Sequence, residues 1–435
     1  MNLYAYFAYL FKFMRYMNGL LRLFLWGGLL GIGFALTGCD GSGHDSNPSN
    51  TGVPAEVVQP LPLPGPYAVG CTNVTQDFSR LSETDDVKDY WEGMNHYVTD
   101  LLTDPDNTLI VSVNAPQNTN LYGAFAGDEI AFMVIVCYPT INDNPRPDYL
   151  LPTGEVLPHM QTGSDQPLFA DASARYPVLL FSHGFGDSPI SAEEYIMAMS
   201  TFASYGYVVI APFHGDFRFS DFTDIEDIGD FITAALNLDG FTALQALRPL
   251  SMSAALTRVL EHPQWTGHLD DARIGGFGAS MGGETLMLLG GAGLTTSYFN
   301  RGEYWEQVTY DRRIEAAVGY VPYFGRPILP AFGKDYDGLA KVTLPFLGIS
   351  GTADTVAPIS EVMAGMSRLT GTRGLVELSG LEHGFDVAST NDIFTWSLMF
   401  LDAELGNQAS KAQFAAMKSV AGGGEDSVVI YYNGL

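Results

Sequence analysis

From Pro177 onward the chain alternates two kinds of segment: short apolar runs rich in Val, Ile and Leu, each closing on Gly or a small polar residue, and longer amphipathic stretches. The runs are Val178–Ser182, Tyr207–Ala211, Ile274–Ala279, Ala316–Val321, Phe346–Ser350 and Leu375–Leu378. Near-continuous hydrophobicity is what strands need when helices cover both faces of a parallel sheet. Six such units in succession predict an α/β domain built on a mostly parallel, doubly wound sheet. Ser191-Ala192-Glu193-Glu194 has the spacing of a capping box; it opens a predicted helix that carries Tyr195, Met199 and Phe202 and closes at Gly206. Upstream, Gly65–Thr75 and Ile130–Pro139 read as an N-terminal antiparallel pair, and the irregular acidic stretch 79–128 between them reads as an insertion.

The front of the chain follows another pattern. Leu23–Leu36 is an apolar run of 14 residues behind Lys12, Arg15 and Arg22, short for a membrane span and suited to the h-region of a signal peptide. Leu36-Thr37-Gly38-Cys39 follows it and resembles the lipobox of bacterial lipoproteins, which implies removal of residues 1–38, lipidation of Cys39 and attachment to a bacterial membrane at its periplasmic face. Asp40 resembles the second-position signal that retains some lipoproteins at the inner membrane, and Met14 or Met17 would give a signal of more usual length. The alternatives are an uncleaved anchor or a chance LTGC. Residues 39–66, rich in Gly, Ser, Asn and Pro, are expected to form a flexible tether ahead of a single domain starting near Tyr67.

Composition sharpens this reading at two points. The 435 residues carry 49 acidic against 21 basic side chains, net −28, and beyond residue 39 the balance is −31; this argues against nucleic acid as a partner and suggests solubility in a salty or marine setting. The chain has three cysteines; setting Cys39 aside leaves Cys71 and Cys137, which an oxidising compartment would allow to pair, two buried free thiols being the alternative.

The chemistry centres on Gly278-Ala279-Ser280-Met281-Gly282, between a strand-like and a helix-like segment, the context of a nucleophile elbow. A serine on so sharp a turn needs neighbours without side chains, hence Gly278 and Gly282. In that arrangement the chain order is Ser, then Asp or Glu, then His. Of eight histidines only His383 follows Ser280, on a glycine-bounded loop after the last predicted strand. Asp354, on the turn after Phe346–Ser350, fits the third place; Asp311 precedes a strand, and Asp335 and Asp337 read as solvated turn residues. The oxyanion donors expected are the N–H groups of Met281, after the nucleophile, and of Phe185 in His183-Gly184-Phe185-Gly186, after the first central strand. His183 then reads as a structural hydrogen-bonding residue.

Taken together, Tyr176–Gly186, Tyr207–Ala211, Arg248-Pro249, Arg273–Gly283, Gly351–Asp354 and His383 resemble α/β-hydrolases of the dienelactone-hydrolase and platelet-activating-factor-acetylhydrolase type, and bacterial polyester hydrolases of the cutinase type. The resemblance runs from about Gly65 to Leu405, leaves 79–128 unmatched, and departs at Ala279, where relatives often carry His. It implies serine carboxylic-ester hydrolysis without a metal, on small-molecule or polymeric esters; no cofactor is expected, and the protein is expected to be a monomer. It also implies an acyl cleft lined by Phe185 and Met281, to which Tyr323 would add a wall unless its ring only packs. The acidic run Asp216–Asp230, within 213–247, is expected to be a solvated lid or insertion over the site, since its spacing fits no EF-hand loop. An amidase or peptidase using the same triad, and an inactive hydrolase fold serving as a binding module, are the alternatives.

Overall fold

The structure, a computed structural model, describes residues 56–220, 238–296, 304–325, 331–385, 389–422 and 426–433. Cys39, the apolar run before it and the acidic segment 221–230 lie outside the described residues.

The principal sheet has ten strands: β1 (Ala68–Cys71), β2 (Ile110–Asn114), β3 (Glu129–Thr140), β4 (Tyr176–Ser182), β5 (Val208–Pro212), β6 (Leu269–Ala279), β7 (Ala316–Tyr320), β8 (Phe346–Gly351), β9 (Arg373–Leu378) and β10 (Asp426–Asn433). Their order is β10-β9-β8-β7-β6-β4-β5-β3-β1, with β2 also paired to β3. The central six, β4 to β9, are the six predicted apolar runs, and all pairings among them are parallel. Antiparallel strands flank them on both sides.

Among the described residues, the helices that pack on the sheet include α1 (Glu193–Ser204), α2 (Leu238–Glu261), α3 (Met281–Leu289), α4 (Ile359–Met366) and α5 (Thr390–Leu405). Successive strand residues point to opposite faces. Leu179 and Phe181 of β4 join an apolar cluster with Met199 and Phe202 of α1 and Phe394 and Leu401 of α5. Val178 and Leu180 join Leu244 and Leu247 of α2, Leu286 of α3 and Val362 of α4 in a second cluster. Each central strand is therefore apolar on both faces, the property that made its run continuous in sequence. Parallel strands also bring six strand-to-loop exits to one edge of the sheet, where such architectures hold their ligands.

Cys71 and Cys137 stand opposite each other in the β1–β3 register and are joined by a disulfide, as expected.

Several expectations are corrected. The domain begins before Tyr67: Val57–Val58 pairs with Ser419–Val420, Leu61 and Leu63 pack against the core, and the Leu61 N–H donates to Thr395 Oγ1, so 56–66 is docked chain, Pro-rich without being a free tether. The stretch 79–128, expected to be irregular, supplies β2 and the buried side chains Trp91, Tyr97 and Leu101. Within 213–247, the described residues are not lid-like. Phe213, His214, Asp216 and Ser220 are buried, and residues 238–247 form the first turns of α2, with Phe241 and Leu244 in its core face. The capping box does not form. Ser191 closes a turn with Ser188, and Ala192 precedes α1 without a side-chain cap.

Candidate active site

Ser280 occupies the sharp turn between β6 and α3 with φ 53° and ψ −117°, a left-handed conformation costly for a residue with a Cβ. Three hydrogen bonds hold it there: its N–H donates to the Tyr320 carbonyl (2.9 Å), and its own carbonyl accepts from the N–H groups of Gly283 (2.9 Å) and Tyr323 (3.0 Å). Both predicted glycines are required. A Cβ on Gly278 would stand 2.3 Å from the Gly282 carbonyl, and one on Gly282 would stand 2.0 Å from the Ser182 carbonyl oxygen. Val321, one residue past β7, is likewise held at φ 40°, unusual for a β-branched residue.

The other two candidates reach Ser280 from the exits of β8 and β9. His383 Nε2 lies 2.8 Å from Ser280 Oγ, and His383 Nδ1 lies 2.7 Å from Asp354 Oδ2. Asp354 Oδ1 accepts from the N–H groups of Val356 and Ala357, both at 2.8 Å, so the carboxylate is clamped by its own turn. That turn is stitched to the histidine loop. The Ala353 N–H donates to the Leu381 carbonyl (3.1 Å), the Gly380 N–H donates to Thr352 Oγ1 (2.9 Å), and Gly351 lets the two backbones approach, since a Cβ there would stand 2.0 Å from the Leu381 oxygen. From the other side Tyr320 Oη–H donates to the Gly384 carbonyl (2.5 Å). The Asp354 side chain is fully buried, whereas that of His383 is 21% exposed and faces solvent. The rejected carboxylates are engaged elsewhere or exposed: Asp311 binds Arg313 and Ser253, and Asp335 lies on an exposed turn.

The loop 183–187 faces this constellation from β4; a Cβ on Gly184 would lie 3.9 Å from Ser280 Cβ. Met281 is the first residue of α3, and the leading N–H groups of a helix lack acceptors within it. The Phe185 ring packs edge-on against Phe217 and Phe241, with centroids 5.5 and 5.9 Å away. Tyr323 is bonded to Ser280 through its backbone and buries its ring in the apolar cluster that also holds Met281.

His183 is fully buried. Its Nε2 accepts from the His214 N–H (3.2 Å), which leaves the proton on Nδ1, donated to the Gly184 carbonyl (2.8 Å). Burial, aided by the Arg248 charge, pushes its pKa down to about 3, so it stays neutral. It is a framework residue, as expected of it.

Sequence reasoning missed the groups behind this loop. Asp216 and Arg248 form a fully buried ion pair, contrary to the reading of Asp216 as part of a solvated lid. Burial would raise the Asp216 pKa, but Arg248's charge and hydrogen bonds outweigh it and hold the carboxyl below its ordinary value. Nearby Glu284, wholly buried on α3, accepts from Gln245 Nε2 (2.7 Å); burial, only partly offset by Arg248, raises its pKa to about 8. Arg248 had one visible signal, a lone cation in the apolar helical stretch Leu244–Leu250. Among the described residues, no group of three or more His, Cys, Asp or Glu side chains is arranged to hold a metal ion, and no helix is long and apolar enough to cross a membrane.

The chain matches no protein-family model and no curated protein. What the site can do is read from its own geometry. A hydroxyl within hydrogen-bond distance of an imidazole, itself oriented by a buried carboxylate, can lose its proton as it attacks an electrophilic carbon.

Proposed function

We propose that the protein is a serine carboxylic-ester hydrolase of the α/β-hydrolase type. The observation that carries this reading is the unbroken chain from Ser280 Oγ to His383 Nε2 (2.8 Å) and from His383 Nδ1 to Asp354 Oδ2 (2.7 Å), with the serine on a strained turn at the head of a helix. In this mechanism Ser280 Oγ attacks the ester carbonyl carbon while His383 Nε2 takes its proton. Asp354 holds the imidazole in the required tautomer and stabilises the imidazolium. The tetrahedral oxyanion accepts from the Phe185 and Met281 N–H groups. Collapse expels the alcohol, which takes the proton from His383 and leaves an acyl-Ser280 ester. Water, deprotonated by the same histidine, then releases the acid.

Phe185, Phe217 and Met281 favour short or aromatic acyl groups, and soluble polyester fragments fit the same preference. The test is a panel of p-nitrophenyl esters from acetate to palmitate, with a soluble polyester fragment and a matched anilide. Turnover is expected to be highest on short or aromatic esters and slowest on the anilide; a sharp optimum at long chains overturns the specificity. The same reading holds that the enzyme is exported and lipid-anchored at Cys39, supported by LTGC behind the apolar run. Cys39→Ser is expected to release it from the membrane fraction, and unchanged attachment contradicts the anchor.

A further inference from the structure

On the loop 183–187, the His183 and Gly184 carbonyls and the Gly184 and Gly186 N–H groups are bonded to side chains from elsewhere in the chain. Arg248 Nη1 donates to the His183 carbonyl (2.8 Å), and Nη2 donates to the Gly184 carbonyl (2.6 Å). Arg248 Nε donates to Asp216 Oδ1 (2.8 Å), and Nη2 also bonds Asp216 Oδ2. Asp216 Oδ2 in turn accepts from the Gly186 N–H (2.9 Å). On the far side the Gly184 N–H donates to Tyr195 Oη (3.1 Å), whose hydroxyl donates to Asp187 Oδ2 (2.7 Å). The ion pair thus bonds to backbone on both sides of Phe185, two residues before it and one after.

A buried ion pair is weak evidence for a gain in stability, because the desolvation of both charges offsets their attraction. Here the pair's remaining hydrogen-bonding capacity goes to one loop. We propose that Asp216 and Arg248 are positioning residues that set the direction of the Phe185 N–H toward the oxyanion formed at Ser280. This rests on the reading of Ser280 as nucleophile and deepens it. The specificity of the fork matters: a guanidinium can bond two successive carbonyls and a carboxylate at once, whereas an ammonium is a single point of charge.

The test compares wild-type full-length protein with the double variant Asp216→Leu/Arg248→Met, which removes both charges and leaves neither one buried alone, and with Arg248→Lys. Steady-state kcat and KM on p-nitrophenyl acetate, the rate of phosphonylation of Ser280 by a fluorophosphonate, and circular dichroism are measured for each. We expect a folded double variant with kcat lowered about 10- to 100-fold, KM within about threefold of wild type, and phosphonylation slowed in the same ratio as kcat, the pattern of a lost transition-state donor. Arg248→Lys is expected to remain slow although it keeps the charge. Wild-type kcat and phosphonylation rates in the folded double variant overturn the positioning role. Should that variant not fold, Arg248→Lys measured per titrated active site decides: a comparable fall supports the proposal, and wild-type turnover per site overturns it. Wild-type protein that takes up no phosphonate at Ser280 overturns the parent reading, and this one with it.

Discussion

Two halves of the site are built in different ways. Ser280, Asp354 and His383 leave the ends of β6, β8 and β9 on short turns held mostly through backbone: Gly278, Gly282 and the Tyr320 and Tyr323 backbone around the serine, the Val356 and Ala357 amides on the aspartate, Thr352 and Leu381 linking the last two loops. The loop 183–187 opposite them is held by Asp216, Arg248 and Tyr195, residues 8 to 65 positions from their partners in the chain and buried behind it. The first half is held chiefly by backbone groups and glycines of the turns and of the strand ends beside them. The second depends on buried polar groups brought together only by the sheet.

The largest effect that would sharpen this contrast is on turnover. Ser280→Ala is expected to lower kcat at least about 10⁴-fold on p-nitrophenyl esters while the melting temperature stays within a few degrees, because the hydroxyl contributes chemistry and little packing. Asp354→Asn is expected to cost about 10²–10⁴-fold in kcat, with KM changed far less, by favouring the wrong imidazole tautomer. If either variant kept near-wild-type turnover, the first half would not be the reacting half. Removing the Cys71–Cys137 disulfide, which belongs to neither half, is expected to lower stability by about 2–5 kcal/mol in chemical denaturation and leave kcat/KM unchanged.

A pH-dependent effect concerns the interior behind the second half, and its sign follows from burial. Glu284 has an ordinary pKa of 4.5 and is raised to about 8 in the folded protein. The folded state therefore retains a proton that the unfolded chain has released, and stability is lost progressively as pH rises from about 4.5 to about 8. Glu284→Gln removes that dependence. Its melting temperature should match wild type near pH 4.5, exceed it by a margin that widens toward pH 8, and hold a constant margin above. A constant difference across the range would show that Glu284 does not titrate there.

How much of this was readable from the residues alone divides along the same line. The six central strands were readable because helices on both faces make each an unbroken apolar run, and Ser280, Asp354 and His383 because their turns carry the local glycines and the chain order. The strand β2 was missed: Ile110–Asn114 is buried on one face only and lies among polar turns, so its alternation is short and weak. The edge strand β10, far beyond the histidine loop, closes the sheet from a position no local signal tied to it. Asp216 was read as solvated because it opens an acidic run, and its partner lies 32 residues on, in a helix whose burial becomes visible only once the layers are assembled. Residues 56–66 were read as tether for a similar reason, since Pro and Gly content does not distinguish a free segment from one docked by a few side-chain contacts.

The central claim is that Ser280 is a nucleophile activated by His383. The most direct test treats the folded wild-type protein, Ser280→Ala and His383→Ala with a fluorophosphonate and maps the adduct by peptide mass spectrometry. The expected result is stoichiometric labelling of Ser280 in the wild type, none in Ser280→Ala, and labelling slowed at least about 10³-fold in His383→Ala. A folded wild-type protein that stays unlabelled, or one labelled equally fast without His383, would contradict it.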